Sequence, residues 1–233
     1  MGADPPPPPP SAVPLPRSGA AREDLRGRHI LVTAGPTHEP IDPVRVIANR
    51  SSGRQGFAIA AAAAEAGARV TLIAGPVAFE TPAGVERIDV ETAEEMANAV
   101  FVALPADAVI LVAAVADWRV EPSSTKLKKR DGPPQLDFIP TRDILAELAA
   151  SEQRPRLLVG FAAETDRVVE QAIAKREAEK ADWIVANDVS GGALGGRNNQ
   201  VHLITRDGIE EWPEAAKEEV ARRLVERIGE ALR

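Results

Sequence analysis

The sequence contains no cysteine and no tyrosine, and only three of its 233 residues are histidines. Without cysteine there can be no disulfide, no thiolate nucleophile and no cysteine-ligated zinc. Without tyrosine, any mechanism that uses a phenol as acid, base or nucleophile is excluded. No two of the histidines, His29, His38 and His202, have the i, i+4 spacing of a helical metal site. These absences exclude several classes of catalytic and metal site.

Charge and hydropathy exclude further classes of partner. The net charge of −7 argues against binding to a nucleic-acid backbone, which requires a basic surface. No run approaches the ~18 uncharged apolar residues of a membrane span, and the N-terminus lacks the pattern of a signal peptide. The absence of cysteine fits a reducing compartment. We therefore predict a cytoplasmic protein that binds neither nucleic acid nor membrane.

Proline is concentrated at the N-terminus, where eight of the 20 prolines fall within the first 16 residues. The run of six prolines at 5–10 favours polyproline II, which has no internal hydrogen bonds and cannot contribute to a core. We predict that residues 1–27 are a disordered tail or linker. Residues 28–233 are then predicted to form one domain.

From His29 onward, short apolar runs alternate with amphipathic segments. Because the runs are rich in β-branched residues, they predict an α/β fold with a Rossmann-like parallel sheet and helices on both faces. Near the C-terminus, Asp207-Gly208 lies between two apolar segments, which predicts a β-hairpin and hence an antiparallel extension. The predicted strands are 29–33, 69–74, 87–90, 108–112, 157–161, 183–186 and 201–205. The predicted helices are 52–66, 93–104, 142–150, 168–180 and 213–232.

A phosphate-binding loop is predicted where the first strand meets the first helix. The helix opens with Ser51-Ser52-Gly53-Arg54, and in doubly wound folds this edge of the sheet binds nucleotides or phosphates. Ser51 or Ser52 would cap the helix, and Gly53 would let a ligand approach closely. The alternative is an alanine-rich helix packed on a sheet, with glycines that serve packing alone. The G-x-G-x-x-G fingerprint of dinucleotide sites is absent.

The connection before that helix, residues 37–49, is longer than the usual βα loop of about 2–6 residues. It ends at Asn49, whose side chain has both a donor and an acceptor and so could orient a carbonyl or an amine. The alternative for Asn49 is a turn residue or a cap that flanks the helix.

Two later segments carry polar groups next to small residues. Asp117 follows a strand and Ala113-Ala114-Val115-Ala116, so its carboxylate is placed either to accept hydrogen bonds from a base or sugar or to cap the backbone. From Asp117 to Arg130 there are five basic and two acidic residues, with Lys126 first in the lysine cluster. Such a loop could close over a polyphosphate, and the alternative is a solvated charge run.

Several blocks together resemble phosphopantothenoylcysteine synthetase (phosphopantothenate–cysteine ligase) of the bacterial type. They occur in order at 32–37, 42–45, 49–53, 113–117, 126–129, 160–165 and 186–189. The resemblance implies a Rossmann-like homodimer acting in coenzyme A biosynthesis. In this family the carboxylate of 4′-phosphopantothenate attacks the α-phosphate of CTP to give an acyl-cytidylate and pyrophosphate. The amine of cysteine then displaces CMP, and Mg²⁺ assists the phosphate chemistry.

The resemblance also implies roles for individual residues. Asn49 would act on the acyl-cytidylate, and Lys126 would contact the triphosphate. Residues placed near substrate phosphate are Ser51, Ser52, Gly53 and Arg54. Residues placed at the nucleotide are Ala113, Ala114, Val115, Asp117, Lys126, Arg142, Asp143, Ile144, Leu145, Phe161, Lys175 and Lys180. Two of these residues depart from the family pattern. Arg142 stands where the family usually has a proline. The family often has a second lysine four residues after Lys175, but here that position is Glu179, and Lys180 follows one residue later. No metal ligand is assigned.

The family enzyme is usually fused to a flavin-dependent decarboxylase domain. We expect no FMN in this chain, and we expect the decarboxylase in another domain or partner. Two alternatives to the ligase are a nucleotide-binding regulatory module without catalysis and an NAD(P)-dependent reductase. The second is disfavoured because its Tyr-x-x-x-Lys catalyst cannot exist without tyrosine.

Overall fold

The computed structural model describes residues 25–188 and 198–233, and these form twelve β-strands and five α-helices. The strands are β1 (His29–Ala34), β2 (His38–Asp42), β3 (Arg45–Ala48), β4 (Arg69–Ala74), β5 (Val85–Asp89), β6 (Ala108–Leu111), β7 (Trp118–Arg119), β8 (Ile139–Pro140), β9 (Leu157–Glu164), β10 (Trp183–Asp188), β11 (Asn198–Ile204) and β12 (Ile209–Ala216). The helices are α1 (Arg54–Glu65), α2 (Ala93–Val102), α3 (Ile144–Ala150), α4 (Val168–Ala178) and α5 (Lys217–Ala231).

Eight strands form one sheet in the order β12-β11-β10-β9-β6-β1-β4-β5. The six strands from β10 to β5 are parallel, whereas β11 and β12 are antiparallel. This arrangement confirms the predicted α/β fold with its C-terminal antiparallel extension. The chain leaves β1 first to β4 on one side and later to β6 on the other. Ligands of doubly wound folds bind beside such a switch of direction, at the carboxyl ends of the strands.

Apolar cores lie on both faces of the sheet, as predicted. Every residue of β1 is buried, and because successive side chains of a strand point to opposite faces, β1 contributes to both cores. Ile30 and Val32 pack in the core beneath α1 and α5. Leu31 packs in the other core with residues of α2, α3 and α4. The helices therefore cover both faces and leave the carboxyl ends of the strands accessible.

The folded domain begins before Arg28, the predicted first residue. Leu25 is fully buried, and its N–H donates to the carbonyl of Ala66 at the end of α1, with an N···O distance of 3.2 Å. Leu25 to Gly27 therefore belong to the domain. The rest of the predicted tail, residues 1–24, lies outside the described residues.

The predicted helix 213–232 is wrong over its first four residues. Pro213 to Ala216 continue β12, which pairs with β11 in the register Ala216↔Asn198. This strand lies at the edge of the sheet, where proline is tolerated because the missing N–H removes no ladder bond. The helix therefore begins at Lys217 rather than at Pro213.

The predicted hairpin turn at Asp207-Gly208 is confirmed, since the N–H of Thr205 donates to the carbonyl of Gly208 at 2.9 Å. The connection 37–49, predicted without regular structure, instead forms an antiparallel hairpin of β2 and β3. Its turn is closed by Asp42, whose Oδ1 accepts the N–H groups of Val44 and Arg45 at 2.8 and 3.0 Å. Local bonding by an aspartate side chain is typical of such turns.

The longest described helix, α5, has 15 residues. Across residues 25–188 and 198–233, none of the helices has both the length and the apolar character that crossing a bilayer requires.

Candidate active site

A cavity of about 570 Å³ lies at the carboxyl ends of β1, β6 and β9. Its walls are the start of α1, the segment after β6, the start of α3, the end of β9 and one side of α4. The lining includes all the predicted site residues except Lys126 and Lys180. These are Asn49, Ser51, Ser52, Gly53, Arg54, Ala113, Ala114, Val115, Asp117, Arg142, Asp143, Ile144, Leu145, Phe161 and Lys175.

Lys126 and Lys180 do not line this cavity. Lys126 is exposed, and its neighbour Leu127 is bound to the β2–β3 hairpin. The N–H of Leu127 donates to Asp42 Oδ2 at 3.1 Å, and its carbonyl accepts from the Arg45 guanidinium. Lys180 is exposed beyond the end of α4. Both positions were carried over from a sequence motif, which does not fix the path of the loop around them.

The segment 113–117 is held in place by two buried threonine hydroxyls at the end of β1. Thr33 Oγ1 accepts the N–H groups of Val112 and Ala113, each at 3.2 Å. Thr37 Oγ1 accepts the N–H of Ala116 at 2.9 Å. The N–H of Ala114 donates to the carbonyl of Gly35 at 2.8 Å, in an isolated parallel bridge between Pro36 and Ala114. Because these acceptors satisfy its backbone donors, the segment leaves β6 in a defined path.

Asn49 contacts this same segment. Its Nδ2 donates to the carbonyl of Val115 at 2.8 Å, which orients the side-chain amide against the loop 113–117. The side-chain oxygen makes no hydrogen bond to the described residues and remains an available acceptor.

The first helix begins without a side-chain cap, so the predicted serine cap is wrong. The N-cap is Gly53, with φ of 76°, a backbone conformation that favours glycine. Ser51 Oγ accepts the N–H of Gly53 at 3.2 Å, and Ser52 Oγ accepts the N–H of Arg54 at 3.4 Å. The serines thus shape the approach to the helix rather than cap its first turn. That turn contains no acidic residue and keeps the positive character that attracts an anion.

Gly56 serves close packing, as the alternative interpretation of the glycines proposed. A Cβ at Gly56 would lie 2.5 Å from the Cβ of Ala34 and 3.0 Å from the carbonyl oxygen of Thr33. The start of α1 therefore lies directly against the end of β1. The two glycines have different roles, Gly53 for backbone conformation and Gly56 for close approach.

Arg142 is occupied by ion pairs that join α2 to α3. Its guanidinium lies 3.1 Å from the carboxylate of Glu94 and forms a bidentate ion pair with the carboxylate of Glu147, with one N···O distance of 3.0 Å. The hydrogen bond from Arg142 lowers the pKa of Glu147, while Glu147 raises that of Arg142. Asp143 caps α3 by accepting the N–H of Ala146 at 3.0 Å. Arg142 and Asp143 thus position this wall, to which Ile144 and Leu145 contribute apolar surface.

Lys175 is paired with Glu179, the residue that departs from the family pattern. The ammonium and carboxylate lie 3.0 Å apart, and both residues line the cavity. Burial raises the pKa of Glu179, and the positive charge of Lys175 opposes that increase. Glu179 is therefore a counter-ion for Lys175 in the ligand-free protein.

Gln55, Asn199 and Lys217 also belong to the cavity, although none of them was predicted as a site residue. All three line the cavity, and each is less than 10% exposed. Lys217 was predicted inside a helix, with no neighbouring motif. Only the packing of α5 against α1 brings it to the cavity.

The described residues contain no cluster of three or more histidine, aspartate or glutamate side chains placed to hold a metal ion. The carboxylates that line the cavity, Asp117, Asp143, Glu164 and Glu179, do not form such a cluster. Mg²⁺ is commonly held by substrate phosphates with few protein ligands and several waters. The four separate carboxylates are therefore compatible with an ion that a phosphate ligand carries, and they assign no protein ligand to such an ion.

This chain is similar to proteins that are named for coenzyme A biosynthesis. It is 44% identical over 212 residues to the coenzyme A biosynthesis bifunctional protein CoaBC of Escherichia coli K12, covering 88% of this chain and 52% of that protein. It is 44% identical over 229 residues to the CoaBC protein of Mycobacterium bovis, covering 92% of this chain and 55% of that protein. The chain thus spans about half the length of these curated relatives.

Two solved structures are also similar to this chain. The crystal structure of a CoaBC C-terminal domain is 40% identical, with a TM-score of 0.77, and the match covers 90% of this chain and 98% of that one. A DNA/pantothenate metabolism flavoprotein from Streptococcus pneumoniae, 23% identical with a TM-score of 0.75, shares the fold; that match covers 87% of this chain and 98% of the other.

The family pattern of the DNA/pantothenate metabolism flavoprotein C-terminal domain matches residues 25–232, which is nearly the whole described domain. Its first matched residue is Leu25, which is also the first described residue and is fully buried. This chain belongs to the family of the DNA/pantothenate metabolism flavoprotein C-terminal domain.

Proposed function

We propose that this chain is a CTP-dependent phosphopantothenate–cysteine ligase of coenzyme A biosynthesis. The observation that carries the proposal is the cavity at the carboxyl edge of the sheet. Its lining includes residues from five of the seven blocks that resemble the ligase, those at 32–37, 49–53, 113–117, 160–165 and 186–189. The proposal is supported by the relatives named for coenzyme A biosynthesis, because this chain is more than 40% identical to the half of each that it matches.

The proposed reaction has two steps. The carboxylate of 4′-phosphopantothenate attacks the α-phosphate of CTP, forming an acyl-cytidylate and releasing pyrophosphate. The cysteine amine then attacks the acyl carbon, loses a proton, and displaces CMP as the amide forms. Both steps depend on positioning and on neutralising phosphate charge, so neither requires a cysteine or tyrosine of the protein.

The residues of the cavity fit this reaction by their chemistry. Phe161 offers an aromatic face for the base, and Asp117 offers a carboxylate that accepts hydrogen bonds from cytosine or ribose. The cations Arg54 and Lys175 line the same cavity and can pair with phosphate. Asn49 lies against the 113–117 loop, where its available oxygen could accept a hydrogen bond from the cysteine amine during the second step.

A homodimer is part of the proposal. The β2–β3 hairpin and the β7–β8 pair expose apolar side chains, with Val44 62%, Val46 43%, Trp118 51% and Ile139 37% exposed. Exposed apolar patches of this kind mark association surfaces. Because Leu127 anchors its loop to this hairpin, Lys126 would reach a triphosphate either by movement of the loop or from the second protomer. Sedimentation of the wild type and of Val46→Glu tests the dimer, and a wild-type monomer at micromolar concentration would refute it.

Several expectations complete the proposal. Mg²⁺ would accompany CTP and supply charge neutralisation at the phosphates, bound mainly by the nucleotide. The decarboxylase would be a separate domain or partner, and FMN is not expected in the described domain. A cytoplasmic location, predicted from the sequence, also belongs to the proposal.

The decisive experiment is a pyrophosphate-release assay with CTP, 4′-phosphopantothenate and cysteine, repeated with ATP in place of CTP. The ligase is expected to release pyrophosphate and CMP, and to form phosphopantothenoylcysteine in equal amount. A regulatory module would instead bind nucleotide without turnover. That outcome, obtained with folded protein, would refute the ligase.

Two variants separate the steps. Asn49→Asp is expected to retain pyrophosphate release but to form little product, because it changes the group assigned to the second step. If Asn49→Asp abolished CTP binding, that assignment would be wrong. Lys126→Gln is expected to weaken the first step, and unchanged CTP kinetics would remove Lys126 from the mechanism.

A further inference from the structure

Lys217 is a buried cation at the first position of α5. It is only 7% exposed and lines the cavity. Its carbonyl accepts a hydrogen bond from Gln55 Nε2 at 3.2 Å, which ties the start of α5 to the start of α1. Its ammonium makes no hydrogen bond or ion pair to any described residue.

A second cation faces the same corner of the cavity. Arg54 is the first residue of α1, and its Nε is buried without a hydrogen-bond partner among the described residues. Its guanidinium lies 5.2 Å from the ring centroid of Phe79, which holds the side chain in place. Burial lowers the pKa of Lys217, and the charge of Arg54 lowers it further against the opposing effect of Glu218. Both cations line the same cavity, and the hydrogen bond from Gln55, the neighbour of Arg54, to the Lys217 carbonyl joins the two helix starts that carry them. Neither cation forms an ion pair with a described residue.

This arrangement is unfavourable in the absence of a ligand. A buried charge costs free energy unless it is paired, and lysine at a helix N-terminus also opposes the positive end of the helix dipole. Here Arg54 is the first residue of α1, which has 12 residues, and Lys217 is the first residue of α5, which has 15 residues. The undescribed segment 189–197 contains no aspartate or glutamate that could pair with them. An anionic ligand would remove all of these costs together.

We infer that Lys217 and Arg54, with the N-termini of α1 and α5, form an anion subsite that binds a phosphate group at this corner of the cavity. The buried Oε1 of Gln55, which has no hydrogen-bond partner among the described residues, could accept a hydrogen bond from a bound water or a protonated phosphate. The identity of the phosphate rests on the proposed function. It would be either the pyrophosphate portion of CTP or the phosphomonoester of 4′-phosphopantothenate, because both present the same chemistry.

Inorganic pyrophosphate titrated calorimetrically into the full chain tests the subsite without any turnover. Lys217→Met, which keeps most of the side-chain volume and removes the charge, is expected to weaken binding at least about tenfold, the loss typical of a charge-assisted contact. Lys217→Arg is expected to retain binding. Arg206→Met makes the same charge change at the exposed β11–β12 turn and is expected to leave binding unchanged.

Thermal unfolding distinguishes a ligand contact from a structural role. Without pyrophosphate, Lys217→Met is expected to unfold at the same or a higher temperature than the wild type, because it removes an unpaired buried charge. At one and the same concentration, pyrophosphate should then raise the unfolding temperature of the wild type more than that of the variant. Lys217→Gln serves as the second variant, with the same expectation, if Lys217→Met does not fold. Pyrophosphate binding by a folded variant within twofold of the wild type, or no binding by the wild type, would overturn the subsite.

Steady-state kinetics identify the source of the phosphate. A KM increase confined to CTP assigns the subsite to the triphosphate, and one confined to 4′-phosphopantothenate assigns it to the phosphomonoester. Unchanged values for both would overturn the substrate assignment. Pyrophosphate binding through Lys217 in a protein without turnover would refute the proposed function and leave the anion subsite standing.

Discussion

Replacing Thr33 by valine tests whether the end of β1 holds the segment that leaves β6 and leads into the loop 113–117. Thr33 is 1% exposed, and its hydroxyl accepts two backbone N–H groups, from Val112 and Ala113. Valine has nearly the same shape but no acceptor, so both donors lose their partner. An unsatisfied buried donor costs about 1–3 kcal/mol. Both bonds are long at 3.2 Å and both residues are only half-buried, so the lower value applies to each, giving about 2 kcal/mol in total.

For a domain of this size, 1 kcal/mol shifts the unfolding midpoint by about 2–4 °C, so Thr33→Val should lower it by about 4–8 °C. Urea unfolding and calorimetry measure the loss, and amide exchange at Val112 and Ala113 locates it. Thr33→Ser keeps the hydroxyl and is the matched control, expected to retain the slow exchange of both amides. A Thr33→Val protein within about 0.5 kcal/mol of the wild type, with both amides still protected, would refute the reasoning.

Three further outcomes are expected. Gly160→Ala should destabilise the fold by about 1–3 kcal/mol in urea unfolding, because its Cβ would lie 2.6 Å from a leucine methyl of α3; an unchanged midpoint would show that α3 can shift at little cost. Arg142→Gln should cost about 0.5–1 kcal/mol at neutral pH, a modest value because the pair is partly exposed. Since the folded-state pKa of Glu147 is lowered, this contribution is present at neutral pH and is lost as the pH falls through that pKa. The urea midpoints of the wild type and Arg142→Gln should therefore converge in acid. A difference that persisted in acid would show that the ion pair with Glu147 is not its source. Asp42→Ala should speed amide exchange at Leu127, whose N–H bonds to that carboxylate, and unaltered exchange would show that other contacts anchor the loop.

Burial of the Asp42 carboxylate raises its pKa, but the backbone N–H groups it accepts and the charge of Arg45 outweigh burial, so its pKa lies below the ordinary value. The carboxylate is therefore ionised at neutral pH and bonds both the hairpin turn and the loop that carries Lys126. No sequence pattern indicated this link, because Asp42 and Leu127 are 85 residues apart. Because this hydrogen bond holds Leu127 at the hairpin, the neighbouring Lys126 does not line the cavity.

The chain positions of most main-sheet strands and helices, and the parallel type of the sheet, could be predicted because strand–helix alternation and turn residues are local properties. The order of the strands within the sheet was not predicted. The strand at 69–74 was predicted with its observed bounds. The end of β12 was missed because Pro213 to Ala216 owe their extended form to pairing with β11, not to their own preferences. The β2–β3 hairpin was missed because Pro40, within β2, weakens the strand pattern.

The sequence by itself determined the α/β fold and the chemistry available at the ends of its strands. Parallel strands bring their carboxyl ends to one edge, so residues that follow separate strands were expected to meet there, and those at Asn49, Asp117 and Phe161 do. Only the tertiary structure decided that Lys217 joins them, since it contacts Gln55 across 162 residues through the packing of α5 on α1. The periodicity of apolar residues indicates which face of a helix or strand is buried, but it does not indicate which distant residue lies opposite that face.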